Sequence, residues 1–127
     1  MVGVRHGGWV RTTDALGQFG ERVAADHLEA AGLRVLDRNW RCPVGELDLV
    51  AADGDELVVV EVKTRRSVAY GSPAEAVTWR KLARLRQLAA SWLAAHEVRP
   101  RSVRIDVVAV TVPKAGTPQV DHLVGVA

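Results

Sequence analysis

The chain alternates between two hydrophobic periods, and the switches between them outline its elements. From about Asp14 to Ala31, apolar or small residues return every three to four positions. Leu16, Gly20, Val23, Ala24, His27, Leu28 and Ala31 therefore share one face of a predicted first helix, and Gly32 supplies its stop. The period then drops to two. Leu33 to Asn39 reads as a first strand, and Gly45-Glu46-Leu47-Asp48-Leu49-Val50 leads through Asp53-Gly54 into Glu56-Leu57-Val58-Val59-Val60-Glu61-Val62-Lys63. Asp-Gly between two such runs is a strong hairpin signal. Ser72-Pro73-Ala74-Glu75 has the marks of a helix start, with Ser72 as N-cap, proline at the first helical position and Glu75 closing a capping box. The second helix is predicted to run from there to about His96. Leu82, Leu85, Ala89, Trp92 and Leu93 form its buried stripe, with Arg80, Arg84 and Gln87 opposite. Val103 to Val112 reads as a buried fourth strand, and Val120 to Val124 as a short last one.

This order, αβββαβ, predicts an α/β domain with helices flanking a mixed sheet. An antiparallel meander is extended by a crossover helix, which makes the fourth strand parallel to its neighbour. The domain spans residues 13–127, and residues 1–12, with Gly3, Gly7 and Gly8, form a flexible N-terminal segment.

The strands also carry charges where apolar side chains are expected. A buried charge costs several kcal/mol unless it is paired or bound to a cation. Side chains alternate across a strand, so Glu46 and Asp48 share one face of the second strand, and Glu61 and Lys63 share one face of the third. A two-residue turn at Asp53-Gly54 places Glu46 opposite Glu61. A four-residue turn places Asp48 opposite Glu61. Both registers project all four side chains from the same face. Carboxylates so close repel one another, and a cation removes that penalty. Oxygen-only ligands suit Mg²⁺, which keeps several waters and takes one or two protein carboxylates. No histidine lies in the hairpin, which argues against zinc. Without a metal, Lys63 would simply neutralise Glu61 and Asp48. Glu21, at the edge of the first helix's apolar stripe, is placed to lean over the sheet.

Composition narrows the setting. The single cysteine, Cys42, excludes an internal disulfide and a cysteine-rich zinc site. Met1 to Thr13 lacks the apolar stretch of a signal peptide, and no later run could span a bilayer, so a cytoplasmic protein is expected. The net charge is only +2, but its distribution is uneven. Pro43 to Val62 contains acids and no Lys or Arg, whereas Arg80 to Arg104 holds seven basic residues against Glu97 alone. An acidic pocket beside a basic surface suits a metal-dependent enzyme acting on a polyanion.

Several short motifs resemble the bacterial YraN-like family, uncharacterised proteins related to archaeal Holliday-junction resolvases within the PD-(D/E)XK nuclease superfamily. They are Gly20-Glu21, Asn39-Trp40-Arg41, Gly45-Glu46-Leu47-Asp48-Leu49, Val60-Glu61-Val62-Lys63-Thr64-Arg65, Tyr70-Gly71-Ser72-Pro73 and Arg104-Ile105-Asp106-Val107. The resemblance implies a restriction-endonuclease-like core. Asp48 and Glu61 would be the metal-binding carboxylates, the Val62 carbonyl a third oxygen, Lys63 the signature lysine and Glu21 the helix acid. Leu47 stands where the superfamily name has proline, and Gln87, followed by Ser91 and Trp92, leaves a Gln-x-x-x-Tyr motif incomplete.

The implied activity is hydrolysis of DNA phosphodiester bonds with Mg²⁺ or Mn²⁺, selective for branched or single-stranded structure. Neighbouring carboxylates should raise the pKa of Lys63 and make it a poor general base. Arg41, Arg65, Arg66, Lys81 and Arg84 are the expected phosphate contacts. The alternative is a non-catalytic nucleic-acid-binding module in DNA repair, recombination or uptake. A symmetric homodimer is expected from the resolvase analogy alone.

Overall fold

The computed structural model describes residues 9–10, 14–67, 72–73 and 77–127. Its elements are β1 (Trp9–Val10), α1 (Ala15–Ala30), β2 (Arg34–Cys42), β3 (Gly45–Asp53), β4 (Glu56–Arg65), α2 (Trp79–Ala95), β5 (Ser102–Thr111) and β6 (Gln119–Leu123). The sheet runs β2-β3-β4-β5-β6, with β1 paired to β4. β4 and β5 are parallel, and every other pairing is antiparallel. The expected αβββαβ order, crossover helix and mixed sheet are therefore present.

Each face of the sheet carries a helix and its own core. On one side Ala24, Ala25 and Leu28 of α1 pack against Leu49, Ala51, Val58, Val60, Val108 and Val110. On the other, Leu85, Leu88, Ala89 and Trp92 of α2 cover Leu47, Val50, Leu57, Val59 and Ile105. Trp92 is buried in that core, and its indole N–H donates to Asp37 Oδ2 at 2.9 Å, so the ring is buried without an orphaned donor. α1 lies unusually close to β4. A Cβ at Gly20 would overlap the Thr64 side chain, so only glycine permits this approach, and the approach brings Glu21 down onto the sheet.

Four boundaries differ from the sequence expectation. The hairpin turn is centred on Gly54-Asp55, because Asp53 pairs with Glu56 and Gly54 takes the left-handed φ of 59°. Pairs such as Leu49↔Val60 make this the register of the four-residue alternative. The first expected strand runs on to Cys42. The second helix begins at Trp79, where Thr78 caps it by accepting from Lys81 N at 3.1 Å. Ser72 and Pro73 lie outside that helix, and Glu75 is outside the described residues. Finally, Trp9–Val10 pairs with Thr64 and Arg65 within the segment expected to be flexible. The remainder of residues 1–12 falls outside the described residues.

At the hairpin end of the sheet, the fully buried Asp106 accepts from Arg104, His122 and Gly125 N, and Arg104 also pairs with Asp53 and Glu56. His27 bonds His122 across to α1 at 3.1 Å. His27 is thus a packed histidine, and burial with His122 beside it lowers its pKa. Asp106 is held by this network.

Candidate metal and phosphate site

The candidate site forms where one edge of β4 opens. β3 pairs along that edge as far as Leu49↔Val60, and β1 resumes at Val10↔Thr64. Among the described residues no strand pairs with the edge at Glu61, Val62 or Lys63 between them. The ladder fails there because β3 changes its alternation. Leu47 and Val50 both pack on the α2 side although three residues apart, while Leu49 packs on the α1 side. Strict two-residue alternation along β3, assumed from the sequence, therefore stops at Asp48. Its carboxylate takes over from the ladder, accepting the Val62 N–H at 2.8 Å. A strand residue turns its N–H and C=O toward the same neighbour, so the Val62 carbonyl faces the same opening.

Three further acids gather around Asp48. Burial pushes the Asp48 carboxyl up first, and then Glu61, Glu21 and Glu46 raise it further against the opposing Val62 bond. Burial also raises Glu21 to about 7, with Glu46 and Glu61 adding to the shift while hydrogen bonds to Asn39 and Asp48 restrain it. Glu21 Oε2 is buried and has no hydrogen-bond partner among the described residues. Glu46 is partly covered and pairs with Arg41 at 3.4 Å. Among the described residues no three His, Cys, Asp or Glu side chains are close enough to cage a metal by themselves. What the edge offers is a sparser oxygen set of Asp48, Glu61 and the Val62 carbonyl. An unpartnered carboxyl oxygen and acids with raised pKa mark a local shortage of positive charge. A Mg²⁺ ion that keeps most of its waters fits this donor set.

Glu61 already has two ammonium neighbours. Lys81 Nζ approaches it to 2.6 Å and Lys63 Nζ to 3.4 Å, beside a water-sized cavity of about 10 Å³ lined in part by Leu82 and Leu85. Burial lowers Lys81, but the closely held Glu61 more than offsets it, and its pKa rises. Lys63 goes the other way: burial and Lys81 outweigh Glu61, and its pKa falls. The expected upward shift of Lys63 is thus reversed, first by burial and then by a second lysine, distant in sequence, that takes the closer place on Glu61.

The expected phosphate contacts separate into three groups. Arg41, Arg66 and Arg84 are exposed. Lys81 lies in the site itself. Arg65 is buried, its guanidinium 4.5 Å from the Trp9 ring centroid and its Nε donating to Thr111 Oγ1 at 3.2 Å. It fastens β1 and β5 to β4 instead of facing solvent. Asn39 joins the site without having been expected there. Its φ of 51° is a backbone state that asparagine tolerates better than most residues, and its side chain bonds Glu21. Its signals in the sequence are an asparagine closing a strand run and its place in the Asn39-Trp40-Arg41 motif.

The comparisons with known proteins bear on the whole chain. The model of the uncharacterised protein family UPF0102 matches residues 20–110. The chain belongs to the UPF0102 family. A UPF0102 protein of Beutenbergia cavernae is 64% identical over 92% of this chain and 99% of its own length. One from Kineococcus radiotolerans is 63% identical over 93% and 98%, and one from an Arthrobacter species 56% over 92% and 99%. All of the candidate site, from Glu21 to Lys81, lies within the UPF0102 match. Among the described residues of this UPF0102 protein, no helix is long and apolar enough to cross a membrane.

Proposed function

We propose that this UPF0102 protein is a metal-dependent nuclease of the PD-(D/E)XK plan that hydrolyses DNA phosphodiester bonds, favouring branched or single-stranded substrates. The observation that carries the reading is the open edge of β4, where Asp48 is tied to Val62 N–H and ringed by Glu21, Glu46 and Glu61. Asp48, Glu61 and the Val62 carbonyl would hold the ion. Bound Mg²⁺ would polarise a phosphate oxygen and lower the pKa of a coordinated water. Lys63 would orient that water and stabilise the charge that gathers on the phosphate. Its lowered pKa also brings it nearer to accepting a proton. Lys81 would serve as the counter-ion of Glu61 and turn to the phosphate when Glu61 engages the ion. Glu21 would orient the nucleophile through the partner-free oxygen. Arg41, Arg66 and Arg84 would position the backbone without reading bases. A symmetric dimer would present two such sites to the strands of a branch.

The second reading, a binding module without catalysis, is favoured by one observation. Lys63 and Lys81 already neutralise Glu61. Incubating the protein with branched, flapped, single-stranded and duplex DNA in Mg²⁺ or Mn²⁺ separates the two readings. Metal-dependent cleavage that is strongest on the branched or single-stranded members is expected. Binding without cleavage of any member would reject the nuclease reading in favour of the module.

A further inference from the structure

Opposite the α2 surface, a cleft of about 190 Å³ lies between α1 and β2, lined by Gln18, Glu21, Arg22, Arg38, Asn39 and Leu49. It shares Glu21 with the acid cluster but opens on the other side of the sheet from Lys81 and Arg84. Arg22 and Arg38 come from different elements and meet here, and among the described residues neither forms an ion pair. Arg22 rests near the Phe19 ring, 5.7 Å from its centroid. Acids are available nearby in the chain, at Asp26, Glu29 and Asp37. Asp37 instead accepts from the Arg38 backbone N–H and from Trp92, and Glu29 accepts from Val35 N. Two guanidiniums at one cleft, neither of them paired with the Glu21 carboxyl that also lines it, suit an external anion, and a planar fork suits the oxygens of a phosphate.

The size of the cleft limits what that anion can be. At ~30 Å³ per water, it holds roughly six waters, enough for a phosphate with part of its sugar and too little for a base pair. Its floor is mixed: Leu49 offers an apolar surface, while Gln18 and Asn39 offer amides. We propose that this cleft binds one sugar–phosphate unit of a single polynucleotide strand, with the phosphate between Arg22 and Arg38 and the sugar over Leu49. The proposal rests on the nuclease reading and extends it by fixing the strand's path. The strand crosses the α1 side of the sheet next to the scissile phosphate.

The test is the affinity of a labelled single-stranded oligonucleotide for the intact protein in EDTA, where no cleavage can occur. Arg38→Ala and Arg22→Ala are each expected to weaken binding roughly tenfold, the scale of one lost charge-assisted contact. Each should also reduce the salt slope by about 1. Arg86→Ala, an exposed residue of α2 to which the proposed function gives no role, is expected to change affinity less than twofold. Both cleft arginines are exposed, so circular dichroism should show the variants folded as wild type. Wild-type affinity in Arg38→Ala, a larger loss in Arg86→Ala, or no binding of the oligonucleotide at all would overturn the cleft. Arg38-dependent binding by a protein that cleaves nothing would instead retain the cleft and reject the nuclease.

Discussion

Asp48→Asn should sharply reduce cleavage and, at the same time, stabilise the metal-free protein. The amide keeps an oxygen to accept the Val62 N–H, so the local geometry survives. It removes a carboxylate that burial, Glu61, Glu21 and Glu46 all act to keep protonated. Cleavage in Mg²⁺ is expected to fall by roughly 10²–10³, the scale of losing one preorganised charge-stabilising group. The metal-free urea midpoint at pH 8 should rise, with a gain on the order of 1–3 kcal/mol, because the uncompensated buried charge is gone. Opposite effects on stability and activity distinguish a functional carboxylate from a structural one. A variant that loses activity and stability together would mean Asp48 is a structural tie.

The second large effect is a pH dependence of stability traced to Glu21. Its folded pKa, about 7, lies above the ordinary 4.5. The folded state therefore binds the proton more tightly. The stabilisation is fully present below pH 4.5 and is lost as pH rises through 7. A tenfold difference in proton affinity corresponds to about 1.36 kcal/mol, so Glu21 alone should remove on the order of 3 kcal/mol across that window. Glu21→Gln cannot titrate and should flatten this part of the profile, as measured by urea midpoints between pH 4.5 and 8. Other groups titrate in the same range, so the difference between variant and wild type isolates Glu21. Saturating Mg²⁺ should also flatten the wild-type profile, since a nearby cation favours the ionised carboxyl. Identical profiles for variant and wild type would show that Glu21 ionises freely.

Local signals locate the elements, and tertiary contacts decide the details of the site. The 3.6-residue period finds α1, and Gly32 marks its end because a left-handed position follows the last turn. The acids of the hairpin are visible because charge interrupts a valine-rich run. The turn lies one residue later than expected because Asp53-Gly54 and Gly54-Asp55 both suit a tight turn, and only the pairing partners choose between them. Ser72-Pro73 carries stronger local marks of a helix start than Thr78, although both serine and threonine are good caps. Two-residue β1 is too short to have a period. Without it, Arg65 reads as a surface cation, since its burial depends on Trp9, more than fifty positions away in sequence. Lys81 is legible as basic, but its contact with Glu61 requires the packing of α2 on the sheet. The same packing reverses the pKa of Lys63.

The most direct test of the shared-cation site is a calorimetric titration of the metal-free protein with Mn²⁺, repeated on Asp48→Asn and Glu61→Gln. The expected result is one ion bound per wild-type chain, with binding lost or greatly weakened in both variants. Undiminished binding in both would show that these two carboxylates do not share a cation, and would contradict the proposed site.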